Sequence, residues 1–266
     1  MNDPHVEWLR YRLELGPALS ITDAPPLEHE TDHCRLRLDA GTLTVTMKEH
    51  HASFESAQET VDQCLRSWQV NTELTYGPGE FRFVYENGKL VDRNPPPPGS
   101  PILVPGTGVL SLTGHAALTT GATVTRHTYP APPTDFGVSP DVETLWYRYR
   151  GYREGKEPLP HMAYFCLTVL EWIGGGGRGR GNAREAAART LGIDIDVLNR
   201  LGGLVSEKGD PTTARKRPKG GWQPYDPREL AWIEAVIRAA IRRTGEHAAG
   251  VIPKVLTMAD FPPLPK

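Results

Sequence analysis

TYPAPPTDFGVSPDVETLWYRY, residues 128–149, is where the chain changes character. Pro130, Pro132 and Pro133 suit neither a strand ladder nor a helix interior, so regular structure must pause here. Ser139-Pro140-Asp141 then opens a helix with a serine cap, a proline in the first turn and an early acid, and Val142, Leu145, Trp146, Tyr149 and Tyr152 follow at helical spacing. Upstream, the periodic segments are mostly strands; downstream, almost all are helices. Charge changes with period. Lys and Arg number 10 against 17 Asp and Glu over residues 1–138, and 20 against 15 over 139–266, so an acidic half is joined to a basic one. The contrast predicts an α+β protein of two domains. Residues 1–133 form an acidic, mostly antiparallel sheet domain with one packed helix, and residues 134–266 a basic, all-α helical bundle.

In the first half, Cys34–Leu38 and Leu43–Met47 alternate apolar and polar residues around Asp39-Ala-Gly41, the pattern of a hairpin with one face buried. Phe54, Ala57, Val61, Leu65 and Trp68 switch to helical spacing behind a Ser53 cap. Gly79–Tyr85 alternates again. Asn87-Gly88 predicts a type I′ turn, because both residues tolerate positive φ, with Lys89–Arg93 returning as the partner strand. Residues 102–128 supply three more short apolar or Thr-rich runs. The proline run at 94–101 is a stiff connector or, alternatively, a ligand for an aromatic groove. His50-His51, with Glu49 beside them and His29, Glu30, Asp32 and His33 upstream, raises the question of a metal. Adjacent histidines on a strand point to opposite faces and cannot share one ion without a bulge, so no metal site is assigned and a solvated, His-rich loop face is expected.

The second half continues with Pro158-Leu-Pro160 leading into an apolar helix, His161–Ile173, expected at the centre of the bundle. Gly174–Gly181 lacks the preceding strand and the GK[ST] ending of a phosphate-binding loop, and reads as a basic loop. Residues 184–201 have helix-turn-helix spacing: small Ala188, Gly192 at the turn, Leu198 and Leu201 packing back. The would-be reading helix begins Asp194-Ile-Asp196, which sets acid against a polyanion, leaving Asn199 and Arg200. Over 178–219 there are ten Lys and Arg against five acids. Arg178, Arg180, Arg200, Arg215, Lys216, Arg217 and Lys219 are therefore the candidate nucleic-acid contacts. A solvated loop is the alternative. The last helix, from Asp226 to Thr244, has an Asp cap, Pro227 in its first turn and an apolar stripe through Leu230, Ile233, Ile237 and Ile241; Gly245 marks its expected end.

Cys34, Cys64 and Cys166 are odd in number and far apart, which makes neither a disulfide framework nor a metal site; Cys64 and Cys166 are expected as buried free thiols. Residues 1–15 carry no signal-peptide pattern, and Ala163–Ile173 is too short to cross a bilayer. A cytoplasmic protein without membrane attachment or cofactor is expected.

Arg242 and His247, with four residues between them, resemble the Arg-x4–6-His motif of HEPN-domain proteins, helical bundles that often act as dimeric, metal-independent ribonucleases. The resemblance implies that Arg242 and His247 bind phosphate and help activate a ribose hydroxyl. Arg243 stands where that family usually has a small polar residue. The structural alternative is that basic residues complement a helix C-terminus. Gly79-Glu-Phe-Arg-Phe83 with Val91-Asp-Arg93, Tyr164–Trp172 and Leu201–Lys216, in that order, resemble bacterial proteins typified by the methylamine-utilisation accessory protein MauJ. That likeness spans roughly 35–245 and implies a cytoplasmic role linked to amine metabolism, with no catalytic residues to carry over. Three functions follow: a non-enzymatic accessory protein with a protein partner or a second copy, a HEPN-like ribonuclease, and a helix-turn-helix regulator.

Overall fold

The computed structural model describes residues 3–95, 123–175, 183–209, 223–251 and 254–265. The chain divides into two compact units, Met1–Pro132 and Pro133–Lys266. Together they make an α+β protein, the first unit built on a sheet and the second on helices.

Five strands form the sheet of the first unit: β1 (Pro4–Leu15), β3 (Leu27–Glu30), β4 (Cys34–Asp39), β5 (Thr42–Met47) and β6 (Phe81–Asp92), in the order β3-β4-β5-β1-β6. All four pairings are antiparallel. A separate parallel pair joins β2 (Leu19–Ile21) to β7 (Val124–Arg126). The β4–β5 hairpin turns through Ala40 and Gly41, φ 47° and 77°, the left-handed pair a type I′ turn needs. Its inner residues Cys34, Leu36, Leu38, Leu43, Val45 and Met47 are buried, while the arginines and threonines between them face outward.

The helix that covers this face, α1 (Phe54–Tyr76), starts as expected, with Ser53 Oγ accepting from the Ser56 amide, and runs two turns beyond Trp68. Val70 and Leu74 are also buried, on the other face of the helix, which stops at Gly77, whose φ of 119° a side-chain-bearing residue rarely adopts. Trp68 packs on Phe83 and Phe81, centroids 4.9 and 5.7 Å away, and its indole N–H donates to the Pro130 carbonyl.

One strand expectation fails. Asn87-Gly88 is not a turn: β6 runs straight through it and pairs along its length with β1. The register shifts once past Glu7 on β1 and once past Glu86 on β6, so two bulges offset each other. Gly88 has no left-handed φ; a Cβ there would sit 2.7 Å from the Phe54 ring and 3.0 Å from the Trp8 carbonyl. Glycine serves close approach, not chain reversal. Of the three runs expected in 102–128, only 123–128 lies among the described residues, as β7 and its flanks; the rest, and the proline run from 96, lie outside them.

The second unit holds α2 (Pro140–Arg153), α3 (Leu159–Ile173), α4 (Ala183–Leu191), α5 (Ile195–Glu207), α6 (Pro227–Ala248) and a short 3-10 turn at Met258–Asp260. Helix α3 touches each of the other four helices and buries Met162, Ala163, Cys166, Leu167 and Leu170 among them. Asp226 caps α6 in a reciprocal box with Glu229, and buried Glu229 also takes Lys208 Nζ at 2.7 Å. Gly245 does not end α6, which continues to Ala248. It lies buried inside the helix, where a Cβ would fall 2.1 Å from the Phe136 ring, and its carbonyl accepts from the Gly137 amide. Again a glycine expected to break an element lets another part of the chain press against it. No helix among the described residues is long and apolar enough to cross a membrane.

Candidate interaction face and histidine cluster

The basic residues singled out by sequence scatter. Arg178, Arg180, Arg215, Lys216, Arg217 and Lys219 lie outside the described residues. Arg200 is exposed on α5, one turn from exposed Asp196; Asn199, beside it, accepts from Arg184 Nη1 at 3.3 Å. The helix-turn-helix geometry itself is present: α4 and α5 pack together, Gly192 turns at φ 60°, and Asp194 caps α5. The turn is zipped to the C-terminal segment, since the Asp194 amide donates to Leu256 O and the Leu256 amide to Gly192 O, at 2.8 and 2.9 Å. The end of α5 that would meet bases thus carries its own chain and two acids.

Arg242 is half-buried and His247 exposed on α6. At 100° per residue, five positions set them about 140° apart around the axis, a separation that any helical Arg-x4-His pair shares. Arg243, the residue that departs from the HEPN pattern, bonds Glu246 and the Lys254 carbonyl, both at 2.6 Å, and ties α6 to the C-terminal segment.

What the second unit does present is aromatic surface. Tyr147 is 74% and Trp172 69% exposed, whereas Trp146 and Trp232 are buried. Positions 161, 165, 168 and 172 recur on one face of α3. There Phe165 lies 4.0 Å beneath the Arg148 guanidinium, which is itself held by Glu157 at 3.4 Å. Glu143, Thr144, Tyr147, Arg148 and Phe165 line an open groove of about 370 Å³, the size of a small ligand pocket. Sequence reasoning counted α3 as apolar nearly all round and assigned all of it to the core; the separation of its buried and exposed apolar positions at helical period was the available signal.

Polar groups in this unit are mostly tied down. Glu234 accepts from Tyr149 Oη at 2.9 Å, Tyr152 Oη at 3.2 Å and Arg153 Nη1 at 2.9 Å, clamping α2 to α6. Burial, then the Glu234 carboxylate, pushes the Tyr149 phenol up to about 12, with Arg153 opposing.

The first unit holds a second concentration of chemistry at one end of its sheet. His51 is 7% exposed, not solvated as expected, and His5, which sequence reasoning passed over, is 6% exposed. His50 stacks on His5 with centroids 5.5 Å apart, and its Nε2 lies 3.6 Å from Asp3. His51 Nδ1 shares a 3.1 Å hydrogen bond with Ser56 Oγ in the first turn of α1. His5 Nδ1 and His51 Nε2 are buried without a hydrogen-bond partner. Burial lowers the His5 pKa, with Arg93, His50 and His51 adding to it and Asp3 opposing. Among the described residues no three His, Cys, Asp or Glu side chains are arranged to hold a metal ion. The cysteines are free: Cys34 and Cys166 buried, Cys64 only half-buried.

The chain matches no family model, no curated protein and no solved structure. Its likeness to the MauJ and HEPN groups therefore rests on the quoted residues alone.

Proposed function

We propose that the chain is a non-enzymatic, cytoplasmic accessory protein that binds a protein partner through the α2–α3 face, and that its MauJ-like segments connect it to amine utilisation. The observation that carries this reading is the exposure of Tyr147, which lines the groove with Phe165 and Arg148, and of Trp172, two turns further along the Phe165 face of α3. Large aromatics are costly to leave in water, and an anchoring aromatic beside an arginine is the composition of interface hot spots. Neither rival gains comparable support. Arg243, which departs from the HEPN pattern, is bonded to Glu246 and the Lys254 carbonyl, and the reading end of α5 is acidic and hydrogen-bonded to the chain's own C-terminal segment.

The test places a photo-crosslinking amino acid at exposed Thr144 or Thr168, beside the two aromatics, in the full chain in cells, with one at exposed Arg82 as control. One defined protein captured from both helical positions, and lost in Tyr147→Ala/Trp172→Ala, is expected. Absence of any such product overturns the reading. Parallel incubation with single-stranded RNA and duplex DNA at two salt concentrations separates the rivals. RNA cleavage that persists in EDTA and is lost in Arg242→Ala would install the ribonuclease; salt-sensitive duplex binding without cleavage would install the regulator.

A further inference from the structure

Besides its ladder with β6, the end of the sheet where β1 begins is tied down by three bonds. The Val6 amide donates to His51 O at 2.8 Å, the Arg93 amide to Asp3 O at 2.9 Å, and the Asp3 amide to Asp92 Oδ1 at 3.0 Å. Three imidazoles crowd this junction. His5 comes from β1 itself, and His50 and His51 from the link between β5 and α1.

Neutral imidazole tolerates this place; imidazolium does not. A neutral ring carries one N–H, whereas the charged ring carries two. The buried His5 Nδ1 has no acceptor in reach, so protonating that ring creates a buried donor without a partner as well as a buried charge. The charges facing His5 compound this. Arg93 at the end of β6 and the rings of His50 and His51 all oppose a positive His5, and Asp3 alone favours one. Other acids nearby are engaged. Glu7 pairs with Lys89 at 2.6 Å, Asp92 Oδ1 accepts from the Asp3 and Asn94 amides, and Glu55 in the first turn of α1 bonds its own amide and Ser53.

We infer that His5 is the proton-sensitive part of a latch built with His50 and His51, closed when His5 is neutral and released by its protonation, which frees the Asp3–Val6 end of β1 from His51 and from the end of β6. The sign follows from linkage. His5 binds its proton less readily folded than unfolded, so the latch contributes fully above the ordinary imidazole value of 6.5 and weakens as pH falls below it. Histidine is the side chain whose ordinary range makes such a device responsive near physiological pH. Release exposes the backbone of the last residues of β6, an unpaired strand edge ready for another extended segment.

Hydrogen exchange on the full chain reads this directly. Protection of the Val6 and Arg93 amides, corrected for the intrinsic pH dependence of exchange, is expected to fall severalfold, up to a ceiling of about tenfold, between about pH 7.5 and about pH 5.5, while the β4–β5 amides hold theirs. His5→Phe keeps a flat ring on His50 and removes the titration, so its protection should not change with pH. Equal protection at both pH values overturns the latch. So does a loss shared by the whole sheet, or an undiminished pH response in His5→Phe. If that variant does not fold, the imidazole resonances of the natural chain decide: a His5 that titrates at or above the ordinary value overturns the proposal.

Discussion

The sheet unit hides its aromatics and puts charge outside, whereas the helical unit binds up its charge and leaves aromatics outside. Trp68, Phe81 and Phe83 lie under α1, and the outer face of the hairpin carries Arg35 and Arg37 paired with Glu30 and Glu28. In the helical unit Glu234 gathers two phenols and a guanidinium, Glu229 takes Lys208, and Tyr147 and Trp172 stand in solvent. A sheet with one covered face has an obvious inside, so its unexplained chemistry is the set of titratable rings it buries. The bundle gathers Glu234 and Glu229 into internal pairs, so the feature left to explain is what it leaves uncovered.

The sharpest way to break this contrast is to remove one buried indole from each unit. Trp68→Ala and Trp232→Ala should each cost about 3–5 kcal/mol. Urea unfolding followed by probes in each unit should place the first loss in the sheet unit and the second in the helical unit. A common loss for either variant would show that the two cores are not independent. The close-approach glycines come next. Gly88→Ala and Gly245→Ala should each cost about 1–3 kcal/mol through overpacking against Phe54 and Phe136. Asn87→Ala should be nearly neutral, because Asn87 is a strand residue and not half of a turn.

Those two glycines also show where the sequence was legible and where it was not. The β4–β5 hairpin, the caps at Ser53, Ser139 and Asp226, and the division into strand-rich and helix-rich halves were all readable, because local periodicity and capping chemistry decide them. Strand β1 was missed. Leu9, Tyr11, Leu13 and Leu15 alternate with Arg10, Arg12 and Glu14 and were the signal to use; the extra residue at Glu7 breaks the pattern only at the start of the strand. Gly88 and Gly245 carry the same letter as turn and stop glycines, and only the rings pressed against them, from 34 and 109 positions away in sequence, tell the cases apart. The histidine cluster was half legible. His50-His51 drew attention, but His5 joins them only through the pairing of β1 with its neighbours. Tyr147 already stood apart from the apolar stripe of α2, whereas Trp172 was swept into a helix expected at the centre of the bundle.

Smaller effects refine the helical side. Glu234→Gln should cost about 1–2 kcal/mol by weakening three hydrogen bonds at once, measured by urea unfolding. The Tyr149 phenol, held up to about 12, gives an alkaline signature. The folded unit keeps this proton where the unfolded chain loses it, so stability is complete below pH 10 and declines as pH rises from 10 towards 12. Unfolding midpoints across that window, with phenolate absorbance, check the sign, and Glu234→Gln should make the decline shallower. Smallest of all, Tyr147→Ala and Trp172→Ala should each change stability by no more than about 0.5 kcal/mol while abolishing partner capture. A large loss would place these side chains in the core and end the contrast.

The pairing of β2 with β7 has a kinetic consequence. Thr22, just past β2, meets His127, just past β7, across 105 residues of chain. The first strand likewise waits for β6, with Pro4 aligned on Asp92. Long loops must therefore close before the sheet gains its central pairings, while α2 and α3 need only their short connection. On refolding, helix signal from the second unit should precede protection of β1. During synthesis β1 can meet β5 early, but β2 stays open until nearly half the chain has been made.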